Sequence, residues 1–299
     1  MVGWKNTKDK LMYHIILNPV AGKEKAQKNL AIAENYFKER GIEYEAHQTC
    51  AVHDAEDIAR RLTLAGETEL IVIGGDGTLH EVLNGIVDPT KVKLGLIPSG
   101  TGNDFAENVG IPENAEKALE IIVGGEAKET DYLEVGGKRC MNVGGIGMDV
   151  DVLERCNKGK LKGKIKYLIS LLQSLFTFKG LPILIESEGR EEKHDALIAA
   201  VCNGTQFGGG IVICPAAKAD DQLIDVVIID CIGGKLKIIK AFMELMKGRV
   251  LEYPLTTHFR CERVRFTTDT PCTAQLDGEL YPALTFDVKL CKGLKFYRQ

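Results

Sequence analysis

The sequence lacks several features that define other classes of protein. None of its apolar runs approaches the roughly 18 residues of a membrane-spanning helix, and Met1–Lys10 has no apolar core of the secretory-signal type. No histidine pair has metal-ligand spacing, and the Gly-x-Ser-x-Gly elbow of serine hydrolases is missing. The nine cysteines include no Cys-x-x-Cys pair, which favours reduced thiols over a disulfide framework or a zinc site. We therefore expect a cytoplasmic protein, with residues 1–11 as a flexible extension.

The chain also lacks a large excess of positive or negative charge. The formal net charge is −4, whereas a general nucleic-acid binder needs a strongly basic surface, so no nucleic-acid partner is expected. Of the 299 residues, 44% are hydrophobic, which is enough for one large core or two ordinary ones.

The first part of the chain alternates between strand-like and helix-like stretches. Predicted strands are Tyr13–Leu17, Glu43–Thr49, Leu70–Ile73 and Lys93–Ile97, and predicted helices are 23–40, 53–65 and 79–86. Strand–helix repetition predicts a doubly wound α/β domain. We place this domain at residues 12–130.

The pattern changes after residue 130. Short β-rich runs separated by glycine turns occupy 131–135, 139–143, 182–187, 196–202, 223–230, 262–267, 272–276 and 284–290. Helical periodicity interrupts them near 164–178 and 235–248. Such runs predict a largely antiparallel β-sandwich domain over residues 131–288.

The strongest functional signal is Gly74-Gly-Asp-Gly-Thr78, directly after an apolar strand. Glycines allow a sharp turn whose N–H groups point at an anion, and the following helix N-terminus adds a favourable dipole. Asp76 would repel phosphate unless a divalent cation lay between them, which suggests magnesium. Helix capping accounts for Asp or Thr alone, but it does not require three glycines around one carboxylate.

A second turn, Pro98–Phe105, also follows an apolar strand. The carboxyl ends of parallel strands meet at one edge of a sheet, where open α/β sheets bind ligands. Thr101 and Asn103 can hydrogen-bond phosphate or ribose, and Asp104 supplies another carboxylate. The loop Asn18–Gly22 ends a third strand and, by itself, is a weak signal.

Residues 275–279 form a late turn, Gln-Leu-Asp-Gly-Glu. A carboxylate such as Glu279 could accept the proton of a hydroxyl during phosphoryl transfer. From the local sequence alone, a hairpin with Asp-Gly at its tip is the favoured interpretation.

Four segments stand together in an order that resembles the diacylglycerol kinase catalytic-domain family. They are Gly74–Thr78, Pro98–Ala106, the glycine-rich stretch from Asn203 to Asp221, and Leu276–Glu279. The chain looks like a bacterial member of a group that includes diacylglycerol kinases and other lipid kinases, with sphingosine and ceramide kinases as relatives. The first segment alone is shared with NAD kinases and phosphofructokinases. The likeness runs from about residue 12 to the C-terminus.

The resemblance implies a role for each matching residue. It implies that ATP is surrounded by Asn18, Pro19, Gly22, Thr49, Gly74, Gly75, Asp76, Gly77, Thr78, Thr101 and Asn103. Asp76 and Asp104 would act around the catalytic Mg²⁺ and the phosphates, and Glu279 would accept the proton of the lipid hydroxyl. A second Mg²⁺ would be held by the Asp221 side chain and the main-chain oxygens of Lys218 and Leu223. Residues 289–299 would return to the first domain.

The implied activity is transfer of the γ-phosphate of ATP to a lipid hydroxyl, with diacylglycerol as the favoured acceptor and phosphatidic acid as product. An NAD kinase-type enzyme and a non-catalytic nucleotide-binding regulator are the alternatives. Two departures from the family pattern bear on the choice: Gln222 stands where many relatives have glycine, and Glu107 where many have a basic residue.

An enzyme that acts on a lipid must contact a membrane surface, here the inner face. Lys158–Lys166 contains five lysines and no acid, and the apolar residues after it share one helical face. Together they could form a lipid-facing element. A helix whose apolar face simply covers a sheet is the favoured interpretation of that segment. The sequence leaves open whether the chain forms a homodimer.

Overall fold

The computed structural model describes residues 11–158, 164–232 and 234–299. The chain divides into two compact units: unit 1 is Met1–Glu129 with Leu294–Gln299, and unit 2 is Thr130–Gly293. Of the extension expected at residues 1–11, the first ten residues lie outside the described ranges. Among the described residues, no helix is both long enough and apolar enough to cross a membrane.

Unit 1 contains a parallel sheet and five helices in its described part. Its elements are β1 Met12–Leu17, α1 Lys25–Arg40, β2 Glu43–Gln48, α2 Asp54–Leu64, β3 Glu69–Gly74, α3 Asp76–Gly85, a 3₁₀ turn Pro89–Lys91, β4 Lys93–Pro98, α4 Asp104–Asn108 and α5 Ala115–Gly124. The strands lie in the order β4-β3-β1-β2, all parallel. At the C-terminus, Lys295 and Phe296 extend this sheet beside β4, also in parallel.

The centre of unit 1 is β3, every residue of which is buried. A strand covered on both faces must be apolar throughout, which explains the continuous run Leu70–Ile73. α1 packs beside α5 and α2 beside α3, and these two pairs cover the two faces of the sheet. The predicted end of the first helix is confirmed: Gly41 follows α1 in the left-handed conformation, φ 63°.

Unit 2 is built mainly from antiparallel strands. The elements from residue 127 onward are β5 Ala127–Val135, β6 Lys138–Cys140, β7 Val143–Gly147, α6 Met148–Lys158, α7 Lys164–Thr177, β8 Leu181–Ser187, β9 Arg190–Cys202, β10 Gln206–Phe207, β11 Ile211–Val212, β12 Ile224–Asp230, α8 Lys235–Met246, a 3₁₀ turn Val250–Glu252, β13 Thr256–Cys261, β14 Arg263–Thr268, β15 Ala274–Leu276, β16 Glu279–Tyr281 and β17 Phe286–Tyr297. The predicted sandwich is confirmed. Sequence patterns did not predict α6 or β13.

Two apolar cores meet at β12, whose residues 224–229 are all buried. Ile224, Val226 and Ile228 belong to the core inside the sandwich. Val227 and Ile229 point to the other face, which we call the outer core and which also takes side chains from α6, α7 and α8. Asp225 lies on this second face because alternate residues of a strand share a side.

Candidate functional site

Three loops of unit 1 meet at the carboxyl edge of its parallel sheet. The Asn18 amide donates to the carbonyl of Ile73 (3.1 Å), and the Ser99 amide donates to the carbonyl of Gly74 (2.7 Å). The Thr49 amide donates to the carbonyl of Leu17 (2.9 Å). The loops after β1, β3 and β4, together with the residue after β2, therefore lie side by side, as parallel strand order requires.

Two of the glycines are needed because the loops touch backbone to backbone. A Cβ on Gly75 would lie 2.9 Å from the Cα of Gly100, and a Cβ on Gly100 would lie 2.6 Å from the Cα of Gly75. Both separations are shorter than real carbon atoms tolerate, so any side chain would push the second and third loops apart. Packing against the loop after β4 therefore requires glycine in the turn after β3, whether or not a ligand binds there.

Side-chain hydrogen bonds tie the same loops together. Asn18 donates from Nδ2 to Oγ1 of Thr78 (3.1 Å). Asp76 accepts the amide of Phe105 on Oδ1 (3.2 Å), so its carboxylate bridges the turn after β3 to the start of α4. Asn103, at φ 59°, bonds both the amide and the carbonyl of Gly100 (2.8 and 3.1 Å).

The predicted residues of this edge differ in their access to solvent. Asp104 and Asn103 are buried, at 6% and 5% exposure, whereas Asp76 is half-buried and Thr101 is exposed. α3 begins at Asp76, so its N-terminal amides and positive dipole end lie at this edge, an arrangement that suits an anion.

A buried polar pair supports the third loop and was missed by the sequence reasoning. Asn29 of α1 donates from Nδ2 to the Ser99 hydroxyl (2.9 Å), which donates to the carbonyl of Ile97 (3.0 Å). Ser99 is fully buried and Asn29 is 6% exposed. The only local signal was a polar residue on the buried face of α1.

In unit 2, the turn from Lys218 to Leu223 is held from two sides. Asp131 accepts the amide of Gln222 (2.8 Å) on its carboxylate, and the Asp131 amide donates to the carbonyl of Ala219 (2.7 Å). Asp221 accepts the amide of Leu223 (3.2 Å) on Oδ1 and the guanidinium of Arg260 on Oδ2. A cation at Asp221 would therefore compete with Arg260.

Glu279 begins β16 and is exposed. Asp277 and Gly278 form the tip of the β15–β16 hairpin, both with positive φ (52° and 89°), so the hairpin prediction for this turn is confirmed. The sequence did not reveal what Asp277 contacts: its carboxylate accepts the amides of Met141 and Asn142, each at 2.8 Å.

Asp149, near the start of α6, is a second acid that the sequence reasoning missed. It is almost fully buried, and burial raises its pKa to about 6, opposed in part by the Val150 amide. Buried acids with raised pKa values cluster at functional sites. An aspartate near a helix start is common as a capping residue, so the sequence does not predict that this one is buried.

Comparison with known proteins decides the family. Residues 12–135 match the model described as "Diacylglycerol kinase catalytic domain", and residues 142–293 match "YegS C-terminal NAD kinase beta sandwich-like domain". The chain is 28% identical over 270 residues to the diacylglycerol kinase of Bacillus subtilis (strain 168), covering 89% of this chain and 88% of that protein. It is 35% identical over 219 residues to the "Probable lipid kinase YegS" of Salmonella paratyphi A, covering 70% and 71%.

The chain belongs to the diacylglycerol kinase catalytic-domain family. A crystal structure of a diacylglycerol kinase from Bacillus anthracis str. Sterne shares the fold, with TM-score 0.77, 25% identity and 98% of each chain covered. Membership supports a lipid kinase that takes its phosphoryl group from ATP.

Two positions where this diacylglycerol kinase family member departs from the common pattern can now be located. Gln222 has φ 63°, the left-handed conformation that glycine adopts without strain. Glu107 lies exposed on α4.

The oxygen ligands at the edge of the unit 1 sheet fit Mg²⁺. This ion is commonly held by one or two carboxylates with water and substrate phosphates completing the octahedron. Asp76 and Asp104 supply two carboxylates in adjacent turns. Among the described residues, neither belongs to a cluster of three or more His, Cys, Asp or Glu side chains.

Proposed function

We propose that the protein transfers the γ-phosphate of ATP to the hydroxyl of a lipid, with diacylglycerol as the acceptor and phosphatidic acid as the product. The observation that carries the proposal is the meeting of three loops at one sheet edge, with Asp76 and Asp104 on adjacent turns. The family relatives named as diacylglycerol and lipid kinases support the acceptor class.

The nucleotide is bound by the loops after β1, β3 and β4. The N-terminal amides of α3 face the phosphates, and Asn18, Thr49 and Thr101 contribute polar groups around them. Asn18 is already positioned by its bond to Thr78. Backbone amides suit this task because they carry no charge that must be desolvated and are fixed before the ligand arrives.

Asp76 and Asp104 would hold the catalytic Mg²⁺, which would neutralise charge on the phosphate oxygens. Asp221, with the main-chain oxygens of Lys218 and Leu223, would form the second site, where Arg260 now pairs with the carboxylate.

Glu279 serves as the proton acceptor for the lipid hydroxyl. The hydroxyl oxygen forms a bond to the γ-phosphorus, the bond from that phosphorus to the bridging oxygen of ADP breaks, and the hydroxyl proton passes to the Glu279 carboxylate. Glu279 is exposed at the start of β16, so its carboxylate is accessible to an acceptor hydroxyl.

The decisive test is a radiolabelled-ATP assay over a panel of lipids, with Glu279→Ala against wild type. Removing a general base costs about 100- to 10,000-fold in turnover, while ATP binding, measured by calorimetry, should stay within a few-fold. Glu191→Ala is the matched control, because Glu191 is also an exposed glutamate on a strand of unit 2. Wild-type turnover in Glu279→Ala would refute its role as the base.

The same assay separates the alternatives. Phosphorylation of NAD but of no lipid would identify an NAD kinase-type enzyme, a possibility raised by the shared Gly74–Thr78 motif and by the NAD kinase-like sandwich match. ATP binding without turnover on any acceptor would identify a nucleotide-binding regulator.

We further propose a peripheral membrane contact at the inner face, through α8. Leu236, Ile239, Met243 and Met246 form a stripe on one side of this helix, and three of them are well exposed, at 84%, 48% and 53% for Leu236, Met243 and Met246. The opposite side (Ile238, Ala241, Leu245) is buried in the outer core. A helix with two apolar sides, one uncovered, suits the membrane interface.

Charge on and around α8 is complementary to an anionic leaflet. The exposed basic residues are Lys235, Lys237, Lys240, Lys247 and Arg249. Lys247 and Arg249 pair with Glu244, while Lys235, Lys237 and Lys240 could each contribute about 1 kcal/mol near the surface. Residues 159–163 of the lysine-rich element expected at Lys158–Lys166 lie outside the described ranges. The side chains next to this segment are likewise not described. Further along α7, Ile169 and Phe176 are exposed and Leu175 is buried, so that face is only partly covered.

The double variant Leu236→Ser, Met243→Ser should bind vesicles at least tenfold more weakly. Burying each of these side chains fully in the apolar part of the bilayer would contribute about 1.5–3 kcal/mol to binding. The side chains are buried only in part, so the serine substitutions remove a fraction of that free energy. Sedimentation with phosphatidylglycerol–phosphatidylcholine vesicles measures the change. Leu64→Ser with Val52→Ser, two exposed apolar residues of unit 1, should bind as wild type. Equal vesicle binding by both double variants would rule out α8 as the contact.

A further inference from the structure

A cluster of metal-binding side chains lies in the outer core of unit 2. The ligand atoms of Cys214, Asp225 and His258 all lie within 4.8 Å of one another, and Cys202 stands opposite Asp225 on the neighbouring strand. We call these four residues the Cys–Asp–His cluster. The two cysteines and Asp225 have no exposed surface, while the His258 side chain is 26% exposed. Thiol, carboxylate and imidazole groups together inside an apolar core are unusual, because each is costly to bury without a partner.

The antiparallel sheet brings these residues together. Cys202 at the end of β9 stands opposite Asp225 of β12. His258 of β13 stands opposite Val227, the next residue of β12 on the same face as Asp225. Cys214 arrives from the segment after β11, where its amide donates to the carbonyl of Thr205 (3.0 Å).

Their ligand atoms are close enough to share one ion. His258 Nε2 is 2.6 Å from Asp225 Oδ1 and 3.9 Å from Cys214 Sγ, and these three groups lie within 4.8 Å of one another. The Cys202 thiol is a neighbour of the Cys214 thiol but is not one of the three groups that share this separation. Bond lengths of about 2.3 Å to sulfur and 2.0–2.1 Å to nitrogen or oxygen imply tetrahedral ligand separations of about 3.3–3.6 Å around zinc. The separations of His258 from Asp225 and from Cys214 each lie within about 1 Å of that range.

The Asp225 carboxylate provides a second, independent observation. Its Oδ1 contacts both His258 and Arg260 Nε (3.4 Å), but its Oδ2 makes no hydrogen bond with any residue that the structure describes. A buried carboxylate oxygen without a donor is costly, and a cation would satisfy it.

The geometry points to a zinc site formed by Cys202, Cys214, Asp225 and His258. Two thiolates favour Zn²⁺ over Mg²⁺, which prefers oxygen ligands. Two thiolates and one carboxylate carry −3, so a Zn²⁺ complex carries −1. The Arg260 guanidinium, which also pairs with Asp221, offsets part of this charge. The ion would join β9, β12, β13 and the segment after β11, which is a structural role. Because both thiols release protons on binding, affinity should rise with pH.

Cobalt titration of the reduced, chelator-treated full chain tests the site. We expect one equivalent of Co²⁺ to bind with the thiolate charge-transfer and tetrahedral ligand-field absorption bands, Zn²⁺ to displace it, and the melting temperature to rise. Cys214→Ser and His258→Ala should each weaken Zn²⁺ binding by at least about 100-fold. Cys261→Ser is the matched control, since Cys261 is a buried thiol of β13 on the opposite face, and its titration should match wild type.

His258→Ala carries the test if Cys214→Ser fails to fold by circular dichroism, because His258 is partly exposed. Asp76→Asn should keep the cobalt spectrum, which separates this site from the proposed catalytic magnesium site of unit 1. No thiolate bands at one equivalent would overturn the proposal, as would unchanged bands in His258→Ala. A Cys202–Cys214 disulfide found by mass spectrometry after purification under reducing conditions would also overturn it.

Discussion

Asp76→Asn is expected to lower lipid phosphorylation by about 100- to 1,000-fold while leaving the fold intact. The amide oxygen of asparagine can still accept the Phe105 amide that Asp76 binds at 3.2 Å, so the link between the second and third loops survives. What is lost is the negative charge that the proposed magnesium needs. The effect should appear mainly in kcat, with a higher Mg²⁺ concentration required for half-maximal rate.

Two measurements separate this prediction from a folding defect. Without ligand, the melting temperature of the variant should match that of wild type. In wild type, ATP with Mg²⁺ should raise the melting temperature more than ATP with a chelator, and in the variant this difference should largely vanish. Asp88→Asn is the control, because Asp88 also binds an amide, that of Thr90 at 3.2 Å, away from the site. A turnover within tenfold of wild type would contradict a metal-binding role for Asp76.

Asp149→Asn should make stability less dependent on pH. Burial raises the pKa of Asp149 from 3.8 to about 6, so the folded state holds a proton that the unfolded state has released between about pH 4 and pH 6. This contribution to stability is complete below about pH 4 and is lost as pH rises through 6. A shift of about 2 pKa units corresponds to about 3 kcal/mol at pH 7.

Urea denaturation at several pH values between 4 and 7.5 measures this difference. The free energy of unfolding of Asp149→Asn, relative to wild type, should rise across that range by up to about 3 kcal/mol, since asparagine carries no charge to bury. The exposed control Asp269→Asn should track wild type. A constant difference between Asp149→Asn and wild type at all pH values would show that the acid is already ionised in the fold.

The predictable part of the fold rests on local patterns. The apolar run Leu70–Ile73, the helical periodicity of residues 23–40 and the stop at Gly41 each depend on neighbouring residues only. The strands of unit 2 were recognisable for the same reason. β13 was not predicted, because Thr256–Cys261 is mostly half-exposed and polar and takes its place by pairing with β12.

The loops of the candidate nucleotide site could be found from the sequence because their chemistry is contiguous. Gly74–Thr78 and Pro98–Asp104 are glycine-rich turns after apolar strands, and parallel order places such turns at one edge. The packing reason for Gly75 and Gly100 could not be found, since each glycine is required by the backbone of the other.

The sequence by itself determined the class of fold, the family resemblance and the glycine-rich turn that contains Asp76. Only the tertiary structure decided which acids are buried and which distant side chains meet. Asp149 has a raised pKa because the fold removes it from water. Cys202, Cys214, Asp225 and His258 show no metal-ligand spacing along the chain. Strand pairing brings Cys202, Asp225 and His258 together, and Cys214 joins them from the segment after β11. Burial and cross-strand contact depend on the whole fold, so the spacing of residues along the chain cannot predict them.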